Sequence, residues 1–227
     1  PALPRVIGEW AYFTRPVEGK DYDQFCRRPA AGGRTRVLID CNREVRGADY
    51  FDLHEASPSP DHALIAYAFD ASGAEAFTLA VRDIASGRKA GADIEGTSGS
   101  FAWSADGRTL IYVRLDAHHR PSQVYRHVVG TPASDDVLIY HEPDPAFDVG
   151  LTRTPDGGHI LIECEDHVTS DTLIIDGGRS EVLPRAIAPR REGHRYTVEV
   201  RGERLVMVTN SEAPDFRIVA APLDDPS

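Results

Sequence analysis

Lysine is nearly missing from this 227-residue chain: Lys20 and Lys89 stand against 23 arginines. With abundant Ala and Gly, that skew points to a GC-rich genome rather than to arginine chemistry. No apolar run approaches the ~20 residues that a membrane-spanning helix needs, so none is expected and no membrane partner is assigned. The opening PALPRVIGEW has no apolar core of a secretory signal. It starts on Pro1 rather than Met, so the chain is expected to be cut from a longer one. The three cysteines, Cys26, Cys41 and Cys164, are odd in number and share no metal-ligand spacing. No N-x-S/T acceptor occurs either. A disulfide-stapled secreted domain is therefore disfavoured, and the cytoplasm is the expected location.

Catalytic signatures are equally sparse. A hydrolase serine normally sits in a G-x-S-x-G elbow, and the nearest match, GTSGS around Ser98, lacks the final Gly. Ser98 is read as a turn residue in a linker, Glu95 to Ser100. The nine histidines form no H-E-x-x-H and no zinc pattern, and His118-His119 is read as solvated loop. Asp61, Asp106 and Asp156 recur at one turn in successive repeats and are read as turn formers rather than as ligands. No phosphate-cradling glycine loop is found. Trp10 and Trp103 are read as core. No residue is assigned a catalytic, cofactor-binding or metal-binding role, and no cofactor is expected.

Net charge is −11, placed unevenly. Residues 1–46 hold nine Lys/Arg against six Asp/Glu, and residues 47–227 hold sixteen against thirty. Such a surface repels phosphate backbones, which argues against nucleic acid. We read it mainly as solubility, although it could also attract basic peptides.

What the chain does have is a repeat of about 45 to 54 residues, in five copies. Each copy has a strand-forming run: WAYFTR from Trp10, LIAYAF from Leu64, TLIYVR from Thr109, HILIEC from His159 and RLVMVT from Arg204. A second run follows about 12 to 14 residues later: DQFCRRP, TLAVRDI, QVYRHVV, DTLIID and FRIVAAP. Turns such as Ser57-Pro-Ser-Pro-Asp-His62, Ser104-Ala-Asp-Gly107 and Thr154-Pro-Asp-Gly157 precede the first runs, and Arg201-Gly202 shortens the motif in the last copy. Outer strands are expected at Val37 to Asp40, Val137 to His141 and Glu181 to Leu183. Inner strands, each the strand before a turn, are expected at Phe101 to Trp103, Val149 to Leu151 and Tyr196 to Val200. A helix-like stretch from Gly73 to Val81 has the register of a second run and is read as strand. Several strands per unit at this period predict an all-β propeller of four-stranded antiparallel blades.

A resemblance then becomes specific. GADYFDL from Gly47, SPSPD from Ser57, EGTSG from Glu95, FAWSADGRTLIYVRLD from Phe101, RPSQVYRHVVGT from Arg120 and DVLIYHE from Asp136 resemble the oligopeptidase B branch of the prolyl oligopeptidase family of serine peptidases. The likeness runs from about Tyr12 to the C-terminus. It implies that residues 1–227 form a partial β-propeller, about five of seven blades, and that the α/β-hydrolase domain with the family's Ser, Asp and His is absent from this chain. It further implies a non-catalytic gate that restricts entry to short peptides, cleaved after Arg or Lys by the partner hydrolase domain. Open propeller edges predict self-association. Two other classes stay open. A protein-interaction scaffold would favour repeated G-H and W-D pairs, but W-D is absent and the one G-H, Gly158-His159, opens a strand. A metal enzyme would need inward acidic or His residues from several inner strands, and Phe101 to Trp103 and Val149 to Leu151 offer none.

Overall fold

A computed structural model describes residues 3–45, 49–179 and 183–225. Gly47 and Ala48, at the head of the first family-like segment, lie outside them, as do Glu181 and Val182 of the expected outer strand. The chain divides into two compact units, Pro1–Glu95 and Gly96–Ser227.

In the first unit, β1 (Arg5–Ile7), β2 (Trp10–Arg15), β3 (Gln24–Pro29) and β4 (Arg36–Asp40) form one antiparallel sheet in sequence order. A one-turn helix, α1 (Cys41–Glu44), follows. The strands β5 (Asp52–Pro58), β6 (Leu64–Asp70) and β7 (Phe77–Asp83) make the next sheet. The stretch from Gly73 to Val81, expected as strand, is strand only from Phe77, and residues 73–76 form the bend before it. Tyr12, Ile39, Phe51, Ile65 and Tyr67 anchor the core, and Phe69 stacks on Phe51 at 5.3 Å between ring centroids.

The second unit repeats the pattern. β8 (Ile94–Trp103), β9 (Thr109–Leu115), β10 (Pro121–Val128) and β11 (Val137–His141) form one meander. β12 (Asp148–Arg153), β13 (His159–Glu165), β14 (Ser170–Asp176) and β15 (Arg185–Ala186) form a second. β16 (Tyr196–Arg201), β17 (Arg204–Thr209) and β18 (Arg217–Pro222) form a three-stranded third. Val, Ile and Leu fill both faces of β9 and β13, so these runs are almost continuously buried. β16 instead alternates strictly, with Tyr196, Val198 and Val200 buried and Thr197, Glu199 and Arg201 exposed.

Three expectations need correction. The linker expected from Glu95 to Ser100 lies inside β8. Positive φ at Gly96 (71°) and Gly99 (87°) shifts the register between Thr97 and Phe101, so glycines that read as a loop make an irregular strand. The outer strand expected at Glu181 to Leu183 is β15, further along, where Arg185 and Ala186 pair with Ile174 and Leu173. The inner strand expected from Val149 starts one residue earlier, at Asp148.

The repeated turn has a simple construction. Ser59 Oγ accepts the Leu64 amide and Thr154 Oγ1 accepts the His159 amide, each at 2.9 Å. The last turn residue sits in the left-handed region: Gly107 at φ 67°, Gly157 at 72°, and His62 at 58° where a glycine would be easier.

Candidate functional site

Most residues that drew notice in the sequence have local work. Ser98 lies in β8, with its Oγ accepting the Ser100 amide at 3.3 Å, so it is on a strand and not at a strand–turn–helix elbow. His118 and His119 occupy the exposed turn between β9 and β10, which Asp116 Oδ1 closes by accepting the amides of His118 (2.8 Å) and Arg120 (3.0 Å). Asp61, Asp106 and Asp156 each cap their own turn, accepting the amides of Ala63, Arg108 and Gly158 respectively. The Ser59 and Thr154 hydroxyls are the main reason that Asp61 and Asp156 titrate below the ordinary carboxyl range.

Trp103 is core, but Trp10 is only half-buried, with the Arg27 guanidinium 3.9 Å above its ring. The cysteines are buried and unpaired, and burial pushes the thiols of Cys41 and Cys164 up to about 11 and about 12. Inert core thiols titrate that way. Among the described residues, no group of three or more His, Cys, Asp or Glu is placed to hold a metal ion.

The structure gathers a different set. A recess of 340 Å³ in the second unit is lined by Asp148, Glu163, Glu165, Asp171, Ser170 and Tyr196, among others, and by no basic residue. Asp148, first in β12, stands directly across from Glu165 at the end of β13. Like charges in that arrangement repel, so nothing in the strand pairing favours them. Glu163 accepts the Thr152 hydroxyl at 2.6 Å. Asp148 and Glu165 are exposed, and their side chains have no hydrogen-bond or ion-pair partner among the described residues. On the far wall, Tyr196 N donates to Ser170 Oγ (2.6 Å), and the Tyr196 hydroxyl accepts the Thr172 amide (2.9 Å). Burial pushes that hydroxyl up to about 12, so the tyrosine stays uncharged at neutral pH.

Behind the recess lies a buried ion network. Arg190 reaches Glu142 through Nη1 at 3.2 Å and Asp171 through Nε at 3.2 Å, and its guanidinium covers the Phe147 ring at 4.0 Å. Glu142 is fully buried. Burial alone would raise its carboxyl, but bonds from Arg190, the Tyr140 hydroxyl and the Asp144 amide outweigh that and hold it low. Arg120 ties the same connection by donating to the carbonyls of Glu142 (3.1 Å), Asp144 (2.6 Å) and Phe147 (3.0 Å). Glu142 stands in the connection between β11 and β12. A Glu beside two prolines gave no sign of a buried charge, because its partner Arg190 is 48 residues away.

Chemically the recess can attract and orient a cation, and its described residues contain no nucleophile–base pair. The family described as prolyl oligopeptidase, N-terminal beta-propeller domain, matches residues 2–227. Dipeptidyl aminopeptidase BI from Pseudoxanthomonas mexicana is 34% identical over 96% of this chain and 32% of its own length. Protease 2 from Moraxella lacunata is 27% identical over 98% of this chain and 34% of its own. Among solved structures, oligopeptidase B from Leishmania major superposes over 100% of this chain and 33% of its own, with a TM-score of 0.95 and 30% identity. The chain thus spans about a third of the length of the relatives it matches.

Proposed function

Because the chain belongs to the prolyl oligopeptidase family, as its N-terminal β-propeller domain, we propose that it is the non-catalytic gate of a serine oligopeptidase that cleaves short peptides after Arg or Lys. The remaining two thirds of such a protein would carry the hydrolase domain that performs the chemistry. The first strand of a propeller blade faces the axial channel, so β12 would present Asp148 to a peptide on its way in. The recess carries the reading: unpaired carboxylates and no cation, at the end of an inner strand. Its pull on a basic side chain acts at entry, as a field that enriches basic peptides before they meet the catalytic groups. Three unpaired thiols fit a reducing compartment, and we place the protein in the cytoplasm on that ground.

A second reading is dipeptidyl aminopeptidase activity, favoured by the 34% identical relative of that name. A peptide's amino terminus is also a cation and would suit the same recess.

Two measurements test these readings. The chain alone should not turn over an Arg-amide chromogenic peptide, whereas a protein joining it to a hydrolase domain should prefer Arg to Ala. In that joined protein, blocking the substrate's amino terminus by acetylation separates the readings: cleavage survives in the first and stops in the second. For the recess, Asp148→Asn with Glu165→Gln should weaken binding of a short Arg peptide by roughly threefold to tenfold, the effect of one or two exposed ion pairs. Equal binding by the double variant would remove the recess from the account.

Self-association is proposed through the last sheet, whose outer face exposes Val208 and Ile218, paired across strands, beside Phe216. Light scattering over a concentration series should show growth in mass. A strictly monomeric chain would exclude it.

A further inference from the structure

The first unit holds a cavity of opposite sign. It measures 630 Å³ and is lined by Trp10, Arg27, Arg34, Thr35 and Arg36 over an apolar floor, with no acidic residue among the described residues that line it. Arg27 on β3 stands directly across from Arg36 on β4. A cross-strand pair of like charges weakens a sheet unless something neutralises it. Arg27 is 8% exposed, which makes its charge costly to leave without a counter-ion. Yet among the described residues no carboxylate pairs with it. Its Nη1 donates to the His62 carbonyl at 2.9 Å, its face covers Trp10, and its Nε is buried without an acceptor.

Arg82 meets Glu44, Arg120 meets Asp116, and Arg190 meets Glu142 and Asp171, whereas Arg153, like Arg27, donates to a backbone carbonyl and leaves its Nε without an acceptor. Among the described residues Arg36 donates to the Ala85 carbonyl at 2.8 Å, and its charge acts on the nearby Asp83 carboxylate. Arg34 is exposed, and its guanidinium has no partner among the described residues. The hairpin brings Arg34 and Thr35 to the cavity through Gly32 and Gly33, at φ 97° and 140°, values that side-chain-bearing residues rarely adopt.

We propose that this cavity binds a small phosphate-type dianion. Three guanidinium groups and the Thr35 hydroxyl offer more donors than a single carboxylate can accept. A tetrahedral oxyanion presents three or four oxygens to such a set, and guanidinium forks match them in pairs. Long polyanions are repelled by the chain's overall charge of −11, so the occupant is a small anion. The site is independent of the peptidase reading and would stand if that reading fell.

The test is titration of the chain with inorganic phosphate, followed by the indole N–H resonance of Trp10. Trp10→Phe identifies that signal, since Trp103 supplies the only other one. We expect a saturable shift with Kd at or below about 1 mM, weakened roughly tenfold in Arg34→Gln and roughly a hundredfold in Arg34→Gln/Arg36→Gln, about one charge-assisted contact each. Arg34 is exposed, so its variant keeps the fold. Acetate should bind at least about tenfold more weakly than phosphate, and roughly 0.5 M salt should weaken both. No saturable shift, an unchanged affinity in Arg34→Gln, or acetate binding as tightly as phosphate would each overturn the proposal.

Discussion

The two units repeat one strand pattern but fill it with different chemistry. Residues 1–95 carry twelve Lys/Arg against fifteen Asp/Glu, and residues 96–227 carry thirteen against twenty-one. The first core is aromatic, built on Tyr12, Phe51 and Tyr67 with Phe25 and Phe69 packed against it. Those of the second are mainly aliphatic, around Ile111, Ile160 and Ile162 in one cluster and Leu161, Val198 and Leu205 in the other. Each unit also sets like charges across strand boundaries, Arg27 against Arg36 and Asp52 against Asp70 in the first, Asp148 against Glu165 and Arg201 against Arg204 in the second. Packing dictates the buried positions of such a repeat and leaves the cavity-facing ends free. At the two recesses described above the linings have opposite sign, and there the ligands are proposed.

The largest difference should appear when the buried networks are cut. Arg190→Ala strands the Glu142 carboxylate, fully buried, with only Tyr140 and the Asp144 amide to serve it. Breaking one partner of a buried pair costs about 3 kcal/mol, somewhat less where the lost partner is partly exposed, as Arg190 is. Arg82→Ala in the first unit removes a pair in which both side chains reach water, Arg82 at 16% and Glu44 at 29%, and should cost about 1 kcal/mol. Urea unfolding at neutral pH separates the two. Equal losses would mean that the Glu142 network is no stronger than a surface pair.

How much of this was legible follows from which forces are local. Strand runs from Leu64, Thr109 and His159 were visible because burial on both faces demands unbroken Val, Ile, Leu and Tyr. The Asp turns were visible because Pro, Asp and Gly each act within four residues. The end of β8, Phe101 to Trp103, was legible, but its first part was read as linker because Gly96 and Gly99 serve a bulge with the residue type that loops use. Asp148 was missed because a polar first residue looks like the end of a linker. Arg27 and Arg190 could not be placed, since what meets them arrives from His62 and Glu142, 35 and 48 residues away.

A second contrast is in pH. Burial raises Glu55 in the first unit to about 7, with Arg5 opposing only weakly. A carboxyl raised above its unfolded value stabilises the fold fully below about pH 4.5, and that stability is lost as pH rises through about 7. Glu142 in the second unit is held low, so its contribution is present above about pH 4.5 and is lost as pH falls through its folded value. Between pH 5 and 8 the first unit should therefore lose about 1–2 kcal/mol while the second holds, less than the full shift implies because water reaches part of Glu55. Amide exchange resolved by unit is the measurement. Glu55→Gln should flatten the first unit's profile and leave the second unchanged, and a slope that survives it would assign the effect elsewhere.

The finest contrast lies at one turn position. His62, Gly107 and Gly157 occupy equivalent places at φ 58°, 67° and 72°. A side chain there costs about 1 kcal/mol of backbone strain. His62 bears it because Tyr12 and His62 Nδ1 share a hydrogen bond at 2.8 Å and their rings stack with centroids 5.9 Å apart. Such contacts are worth about 1–1.5 kcal/mol together, so His62→Gly trades one for the other and should shift stability by less than about 0.5 kcal/mol. Gly107→Ala puts a side chain into the left-handed region at a buried position and should cost about 1 kcal/mol. At Gly157 a new Cβ would lie 2.5 Å from Arg153 Nη2, so Arg153 must swing away and give up its 3.2 Å bond to the Gly157 carbonyl. Gly157→Ala should therefore cost about 1.5–2 kcal/mol. The three variants, compared by denaturant midpoint at unchanged m-value, should rank Gly157 over Gly107 over His62. If His62→Gly proved the most damaging, the Tyr12–His62 pair would hold the first unit together far more strongly than one hydrogen bond and one stacked contact can explain.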